Sequence, residues 1–282
     1  MNKLYFIAEI GQNHQGDIKI AKQMVDSLVG SGVRAIKTAK RDIDTCLTEK
    51  QKQQPYDNSH SFGKTYYEHR KALELSPEDF QELKWYAEKK GFDFISSFTD
   101  KESFLFLNHI HIKQIKIASQ RVADFSLLSY VAKRYPFPVY MSSGMSCIDE
   151  IEEMVDLFKD NKKYLMQCTS VYPTDAKIQH LRVLKTYRKL FKNKVDGFGY
   201  SSHYRGIAPD IAAYALGATI IERHFTLDRT WKGTDHALSL EIHQIRKLIK
   251  YLNEVAKSLG NSQKTVLPEE MPAIKKLRGD LK

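Results

Sequence analysis

The stretch LYFIAEIGQNHQGDIKIAKQMVDSLVG, residues 4–30, holds the pattern that decides the fold. Its opening run, LYFIAEI, consists mostly of apolar and aromatic side chains, which is typical of a buried strand. From residue 18 onward, the apolar residues Ile18, Ala21, Val25 and Leu28 recur at the spacing of one helix face. The predicted repeating unit is therefore a buried strand followed by an amphipathic helix.

The same unit recurs along the rest of the chain. The helix predicted at 77–90 has the clearest start, because Ser76 can cap it and Pro77 suits its first position. Eight units within residues 1–260 predict a single-domain α/β protein, a (β/α)8 barrel, with a short basic tail at 261–282. The alternative, a doubly wound sheet, seldom contains eight such units in succession. The other predicted strands are 34–39, 93–98, 114–119, 138–143, 164–170, 196–202 and 218–225, and the other helices are 18–30, 101–108, 124–134, 148–159, 178–191, 208–216 and 240–258.

Composition excludes several classes of protein. With 42% hydrophobic residues and no apolar stretch near the ~18 residues of a membrane span, the chain is predicted to be globular, with no membrane partner. The cysteines at positions 46, 147 and 168 lack CxxC spacing, which favours a reducing, cytoplasmic compartment. The net charge of +10 is scattered over predicted helices, so we expect steering of an anionic small molecule and no nucleic-acid partner.

Charged and hydroxyl side chains cluster at the carboxyl ends of the predicted strands, where such barrels hold their active sites. Glu222 and His224 lie two residues apart on the last strand and share one face, while Arg223 faces the other way. Together with His203 at the end of the preceding strand, they form a candidate divalent metal site. The alternative is that each imidazole is a hydrogen-bonded structural histidine.

Two lysines extend this picture to an anionic ligand. Lys37 and Lys116 lie on the second and fourth predicted strands, and hydroxyl groups end the third to seventh strands. Ammonium and hydroxyl groups suit a phosphate or a carboxylate. Either lysine alone is weak evidence, but together with the histidines they indicate a metal-assisted enzyme that acts on a phosphorylated anion.

Several motifs resemble those of the sialic acid synthase family, which makes N-acetylneuraminate and related nonulosonic acids from phosphoenolpyruvate. The resemblance follows the order and spacing of the family over nearly the whole predicted barrel. It is carried by FIAEIGQNHQGD (6–17), AIKTAKRD (35–42), FISSFTD (94–100), IKIAS (115–119), SSGMS (142–146), LMQCTSVYPT (165–174), GYSSH (199–203), ATIIERHFTLDR (218–229) and GTDHALSL (233–240).

The resemblance implies a TIM barrel enzyme that condenses phosphoenolpyruvate with the open-chain aldehyde of an N-acyl hexosamine or related aldose. The product is a sialic acid-like 2-keto-3-deoxy sugar acid, phosphate is released, and Mn²⁺ or Mg²⁺ assists. The family's metal ligands fall on His203 and His224. Its acidic residues at the reacting centre fall on Glu9, Glu222 and Asp235, its acceptor-contacting tyrosine on Tyr172, and its phosphoenolpyruvate contacts on Lys37, Ser97, Lys116, Ser119, Ser142 and Ser201.

The sequence departs from the family pattern near phosphoenolpyruvate, at Ala39, and on the acceptor side, at Arg121. Ala39 stands where the family has a glutamine, Arg121 replaces a carboxylate, and Ser170, a further candidate substrate contact, replaces an asparagine. We expect Arg121 to bind an acidic or phosphorylated acceptor, or to replace an arginine that the family's C-terminal antifreeze-like domain supplies from a partner subunit. The sequence stops before such a domain, which we expect to be missing. The simpler alternative is that Arg121 points to solvent.

The insertion at 43–72 is longer than a barrel connection requires. Its cluster SFGKTYYEHR (61–70) suggests a lid over the barrel mouth, and packing in an oligomer is equally compatible. We expect a homo-oligomer. The competing functions are the related deoxy-octulosonate and deoxy-heptulosonate phosphate synthases, whose motifs match less well, and a barrel that binds a sugar or sugar phosphate without turnover.

Overall fold

A closed barrel of eight parallel strands forms the centre of the computed structural model, which describes residues 4–279. Each strand pairs with the next in sequence, and the last strand closes the barrel by pairing with the first. The predicted (β/α)8 barrel is therefore confirmed. The strands are β1 (Tyr5–Glu9), β2 (Ala35–Lys40), β3 (Asp93–Phe98), β4 (Ile115–Ile117), β5 (Val139–Ser142), β6 (Lys163–Cys168), β7 (Gly197–Ser202) and β8 (Ile220–His224).

The helices of the outer layer pack around the barrel and bury apolar side chains against it. The first, which covers Ile18–Leu28, buries Ala21, Met24, Val25 and Leu28, in agreement with its predicted periodicity. The helices of the outer layer are α1 (Ile18–Leu28), α5 (Pro77–Lys89), α6 (Lys101–His109), α7 (Phe125–Ala132), α8 (Ile148–Leu157), α9 (Val183–Phe191), α10 (Ala208–Ala215) and α11 (Ile242–Ser258), and the insertion adds α2 (Ile43–Cys46), α3 (Glu49–Gln53) and α4 (Tyr66–Ala72).

Helix boundaries follow local capping. The side chain of Ser76 accepts a hydrogen bond from the backbone N–H of Asp79 at 3.0 Å, which confirms the predicted start of α5 at Pro77. The helix predicted from residue 178 begins only at Val183, because a separate 3₁₀ turn occupies Ala176–Ile178. Periodicity alone does not reveal such a turn.

Alternation along β8 places its side chains as predicted. Ile220 belongs to a small apolar cluster inside the barrel, whereas Ile221 belongs to the large cluster between the sheet and the helices. Arg223 also faces outward and pairs with Asp210 on α10. Glu222 and His224 therefore share the inner face with Ile220.

The amino end of the barrel is closed by stacked aromatic rings. The Tyr140 ring centroid lies 6.1 Å from that of Tyr5 and 5.1 Å from that of Tyr164. The Tyr5 hydroxyl donates a hydrogen bond to Asp93 at 2.6 Å. Within residues 4–279, aromatic rings therefore pack at the amino end of the barrel, and the polar cavity lies at its carboxyl end.

Residues 261–279 follow the barrel as an exposed segment. It contains a 3₁₀ turn at Pro268–Glu270 and the helix α12 (Met271–Leu277), where the sequence had suggested only a basic tail. Residues 280–282 of that predicted tail lie outside the described part of the chain. Within residues 4–279, no helix combines the length and the apolar character that a membrane span requires.

Candidate active site

A cavity of about 400 Å³ opens at the carboxyl end of the barrel. Its walls come from the ends of the strands and from the loops that follow them. With the exception of Arg121, the structure brings every predicted site residue to this cavity. They are Glu9, Lys37, Ser97, Lys116, Ser119, Ser142, Ser170, Tyr172, Ser201, His203, Glu222, His224 and Asp235.

Two buried lysine–carboxylate pairs form the floor of the cavity. The Lys116 ammonium donates hydrogen bonds to Glu222 Oε1 at 2.5 Å and to Ser201 Oγ at 3.2 Å. Lys37 makes the equivalent ion pair with Glu9. Because all four charged side chains are almost completely buried, each pair compensates charges that would otherwise be costly to desolvate.

The protonation of this cluster follows from its neighbours. Burial alone would raise the pKa of Glu222, but the ammonium groups of Lys116 and Lys37 lower it to about 2. Burial and the nearby Glu222 charge raise the pKa of Glu9, against the opposing effect of Lys37. The second oxygen of Glu222, Oε2, is buried and has no hydrogen-bond partner in residues 4–279. That oxygen is therefore available to a bound ligand.

Two imidazoles lie next to each other in the same cavity. The ring centroids of His203 and His224 are 5.3 Å apart, and the Tyr172 ring lies 3.9 Å from that of His203. His203 Nδ1 lies 3.0 Å from the backbone oxygen of Thr169, which can only accept a hydrogen bond. His203 Nδ1 must then carry the proton, and a neutral ring keeps the lone pair of Nε2 for another ligand.

The second imidazole is also suited to bind a ligand. Burial lowers the pKa of His224 to about 3, so its ring is neutral at pH 7. Its Nδ1 is buried without a hydrogen-bond partner among the described side chains, and Asp235 Oδ2 lies 3.8 Å away. An unsatisfied buried nitrogen of this kind is uncommon unless a ligand completes it.

These donors meet part of the requirement for a metal ion. Two imidazoles with a carboxylate nearby are suitable ligands for a borderline divalent cation. Nevertheless, the part of the chain that the structure describes contains no group of three or more His, Cys, Asp or Glu residues arranged to hold a metal. The residues therefore fit a divalent ion only if substrate or water supplies its remaining ligands.

A sequence model of the NeuB family matches residues 24–264 of the chain. The chain belongs to the NeuB family. The mouse N-acetylneuraminate-9-phosphate synthase is 39% identical over 275 residues, which cover 97% of this chain and 76% of the relative. The N,N'-diacetyllegionaminic acid synthase of Campylobacter jejuni is 33% identical over 287 residues, which cover all of this chain and 85% of the relative.

A solved structure agrees with this assignment. The N-acetylneuraminic acid synthetase of Leptospira borgpetersenii superposes on this NeuB-family chain with a TM-score of 0.86 at 28% identity. The superposition covers 99% of this chain and 92% of the other. The family membership that the sequence motifs predicted is thus confirmed.

Arg121 lies beside the main cavity of this NeuB-family protein. Its guanidinium contacts Asp124 Oδ2 at 3.2 Å and lines a neighbouring pocket of about 450 Å³ between α6 and α7. Gln120, the residue before it, lines the main cavity instead. The role of Arg121 in binding the acceptor stays a prediction.

The cavity also contains groups that the sequence interpretation missed. Cys168, which had served only to indicate the compartment, lies on the wall next to His203. Burial alone would raise the pKa of its thiol, but His203 and Lys116 lower it to about 7. The inward alternation of Met166 and Cys168 on β6 was a signal that could have identified it.

The insertion reaches the mouth of the cavity. Its Arg70 lines the mouth, and its Tyr56 and His69 rings pack together with centroids 4.3 Å apart. The ammonium of Lys232, from the loop after β8, lies 4.9 Å from the ring of Phe62 in the insertion. The insertion therefore packs against the rim of the cavity, while its opening and closing as a lid stays a prediction.

Proposed function

We propose that this NeuB-family protein condenses phosphoenolpyruvate with an aldose, an N-acyl hexosamine or related sugar, in carbohydrate biosynthesis. The products are phosphate and a sialic acid-like 2-keto-3-deoxy sugar acid. The observation that carries the proposal is that two buried lysines and two neighbouring imidazoles line one cavity. The named synthases among its relatives support the same class of reaction.

The anionic substrate binds at the floor. Lys37 and Lys116 hold its phosphate and carboxylate, and the surrounding serine hydroxyls donate further hydrogen bonds. When the anion shares these ammonium groups, their attraction for Glu222 weakens and the basicity of Glu222 rises. Binding of the anionic substrate therefore makes Glu222 a stronger base. The serines proposed for this role are Ser97, Ser119, Ser142, Ser170 and Ser201.

The acceptor aldehyde lies above the floor, beside the imidazoles. His203 and His224 would hold Mn²⁺ or Mg²⁺, which as a Lewis acid polarises a carbonyl oxygen. Tyr172 packs against the His203 ring and limits the space beside it, which orients the sugar. Asp235 faces His224 and is placed to accept hydrogen bonds from acceptor hydroxyls. Arg121 remains a proposed acceptor contact from the neighbouring pocket.

The proposed reaction joins the two substrates, adds water and then releases phosphate. Carbon 3 of phosphoenolpyruvate attacks the aldehyde carbon, which forms the new C–C bond and leaves positive character at carbon 2. Water adds to carbon 2, and the unpaired Oε2 of Glu222 accepts its proton. The aldehyde oxygen takes up one proton and becomes a hydroxyl, which balances the proton that water gives to Glu222. The new hydroxyl on carbon 2 then becomes the ketone, the bond between carbon 2 and the phosphate oxygen breaks, and the hydroxyl proton leaves with the phosphate. Glu9 is a second acidic group at the reacting carbons.

One observation favours the alternative of a barrel that binds a sugar without turnover. Ala39, where the family has an amide, lines the cavity and offers no polar side-chain atom to phosphoenolpyruvate. The complete set of ion pairs and imidazoles argues for catalysis instead. Cytoplasmic location and homo-oligomeric assembly are further proposals, which rest on the cysteine pattern and on family resemblance.

Phosphate release from phosphoenolpyruvate tests the proposal. The purified protein is assayed with Mn²⁺ or Mg²⁺ against hexosamines, hexoses and their phosphate esters, with a chelator as control. We expect release that requires both a metal and one class of aldose. If none of the acceptors in the panel supports phosphate release, although phosphoenolpyruvate and sugar bind, the result would favour a barrel that binds a sugar without turnover.

A further inference from the structure

The loops that follow β1 and β8 are joined by hydrogen bonds. These two strands are neighbours in the barrel, and their pairing continues past the end of β8, since the Phe225 N–H donates to the Glu9 carbonyl at 2.8 Å. Asn13, in the loop after β1, is almost completely buried. No step of the proposed reaction uses its side chain.

The side-chain amide of Asn13 directs both of its N–H groups to the loop after β8. Its Nδ2 donates one hydrogen bond to the Phe225 carbonyl and one to Ser239 Oγ, each at 2.8 Å. The Phe225 carbonyl can only accept, so the amide nitrogen must face it. Ser239 Oγ in turn donates to the carbonyl of Asp235 at 2.6 Å. Asn13, Ser239 and Asp235 therefore form one chain of hydrogen bonds with a fixed direction.

The two points that this amide holds lie next to residues of the cavity wall. Phe225 directly follows His224 in sequence. Asp235 and Ser239 flank a 3₁₀ turn at His236–Leu238, and the Asp235 carbonyl accepts from both the hydroxyl and the N–H of Ser239. In the cavity, Asp235 Oδ2 lies 3.8 Å from His224 Nδ1. One buried amide therefore helps to set the distance between the carboxylate and the imidazole.

We propose that Asn13 is a positioning residue for the acceptor, which acts through Ser239 to hold Asp235 beside His224. This inference rests on the proposed function, in which Asp235 accepts hydrogen bonds from acceptor hydroxyls. Without the amide, two buried acceptor atoms lose their donor and the turn that carries Asp235 loses its anchor. A displacement of about 1 Å in a binding group can lower a rate about 100-fold. The alternative is that Asn13 contributes only to stability.

An asparagine at the other end of the barrel provides a matched control. Asn161 is also buried, and its Nδ2 donates to two backbone carbonyls, those of Tyr135 at 2.7 Å and Phe137 at 2.9 Å. It precedes β6 and so lies at the amino end of the barrel. Asn13→Ala and Asn161→Ala each remove an amide with two donated bonds, so both should lower the midpoint of urea unfolding. Only Asn13→Ala should lower kcat/KM for the acceptor, by about 10- to 100-fold, while the KM for phosphoenolpyruvate stays within about twofold of wild type.

A kinetic cycle with Asp235→Ala separates positioning from general destabilisation. If Asn13 acts through that carboxylate, Asn13→Ala should lower kcat/KM for the acceptor by no more than about twofold in the Asp235→Ala background. Ser239→Ala breaks the same chain at its second link, and it should give a loss in the same direction if Asn13→Ala does not fold. An equal fractional loss with and without the Asp235 side chain, or an equal loss in Asn161→Ala, would overturn the inference and leave the proposed function intact.

Calorimetric titration with the acceptor sugar, in the presence of phosphoenolpyruvate, gives the same comparison without turnover. It decides the inference even if wild type turns over no acceptor, in which case the proposed function fails. Weaker sugar binding in Asn13→Ala than in Asn161→Ala supports the positioning role. Equal binding in the two variants, or no binding of any sugar by wild type, contradicts it.

Discussion

Lys116 links the anion site to the proposed base, because its ammonium contacts both Glu222 and Ser201. Replacement by methionine removes a cation from the phosphate site and leaves a carboxylate buried without its partner. For Lys116→Met we expect kcat/KM for phosphoenolpyruvate to fall about 100- to 10,000-fold, with both a higher KM and a lower kcat.

Protection against thermal unfolding by phosphoenolpyruvate provides a second readout for Lys116→Met that does not require turnover. Wild type should gain stability as the ligand concentration rises, whereas the variant should gain much less. Equal protection of both proteins would show that Lys116 does not contact the anion.

Glu222 is expected to affect the chemical step more than binding. Glutamine keeps a carbonyl oxygen for Lys116 and Ser201 but cannot accept a proton from water. We therefore predict that Glu222→Gln lowers kcat about 100- to 10,000-fold, while the KM for phosphoenolpyruvate changes by a few-fold at most. Steady-state kinetics with saturating acceptor measure both values, and an unchanged kcat would remove Glu222 from the proton transfer.

His14 makes the stability of the protein sensitive to acid. Its Nδ1 accepts a hydrogen bond from the Gly16 N–H at 3.1 Å, so the bond requires that Nδ1 carry no proton. Burial, with the charges of Arg41 and Lys40, lowers the pKa of His14 to about 3. Because the folded-state pKa lies below the usual 6.5, neutral His14 contributes to the free energy of unfolding. This contribution is present above pH 6.5 and declines as the pH falls toward 3.

Urea unfolding at pH 7 and pH 4.5 measures this effect. Wild type should lose on the order of 2 kcal/mol through His14 alone, because each unit of pKa difference corresponds to about 1.4 kcal/mol. In His14→Asn, an amide oxygen can accept the hydrogen bond from Gly16 without titrating. The variant should therefore lose less free energy of unfolding between the two pH values than wild type, by that amount. Equal losses would contradict the assignment.

The loop after β7 depends on one buried ion pair. Arg223 bonds Asp210 at 2.5 Å and the Gly206 carbonyl at 2.7 Å, and it also bonds the carbonyl of Tyr204. These contacts hold the segment that carries His203 against α10. Arg223 is therefore a positioning residue for the imidazole.

We predict that Arg223→Met costs about 3 to 5 kcal/mol of unfolding free energy, because Asp210 would remain buried without its partner. The double variant Arg223→Met, Asp210→Leu should recover part of that loss, since both charges are then removed. Urea unfolding of wild type, Arg223→Met, Asp210→Leu and the double variant gives the coupling energy between the two side chains. A double variant less stable than Arg223→Met would contradict the explanation.

Much of the barrel was predictable from local sequence. Apolar runs located the strands. Alternation predicted that Arg223 points out of the barrel and His224 into it, because consecutive side chains of a strand point to opposite faces. The fourth strand is shorter than its predicted span of 114–119, since Ser119–Arg121 forms a 3₁₀ turn. Turn chemistry of this kind depends on contacts with neighbouring loops.

The contacts across the site were not predictable in the same way. The pairing of Lys116 on β4 with Glu222 on β8 joins opposite sides of the barrel, and it depends on strand register and side-chain length. The placement of Arg70 depends on how an irregular insertion packs, which no periodicity encodes. The site residues could be predicted from the sequence, whereas the contacts between them depend on the folded structure.

Stacked tyrosines at the amino end and polar side chains at the carboxyl end place the cavity on one face of the barrel in residues 4–279. Substrates reach it through the mouth that Arg41 and Arg70 line. The net charge of +10 favours the approach of anionic substrates to that mouth.

Isotopic labelling of phosphoenolpyruvate tests the proposed condensation most directly. The protein is incubated with a divalent metal, the best acceptor of the panel and phosphoenolpyruvate labelled with ¹³C at all three carbons. We expect a sugar acid that contains the acceptor's carbons and all three labelled carbons, with one phosphate released per product molecule. Phosphate released with the label recovered as pyruvate would contradict it.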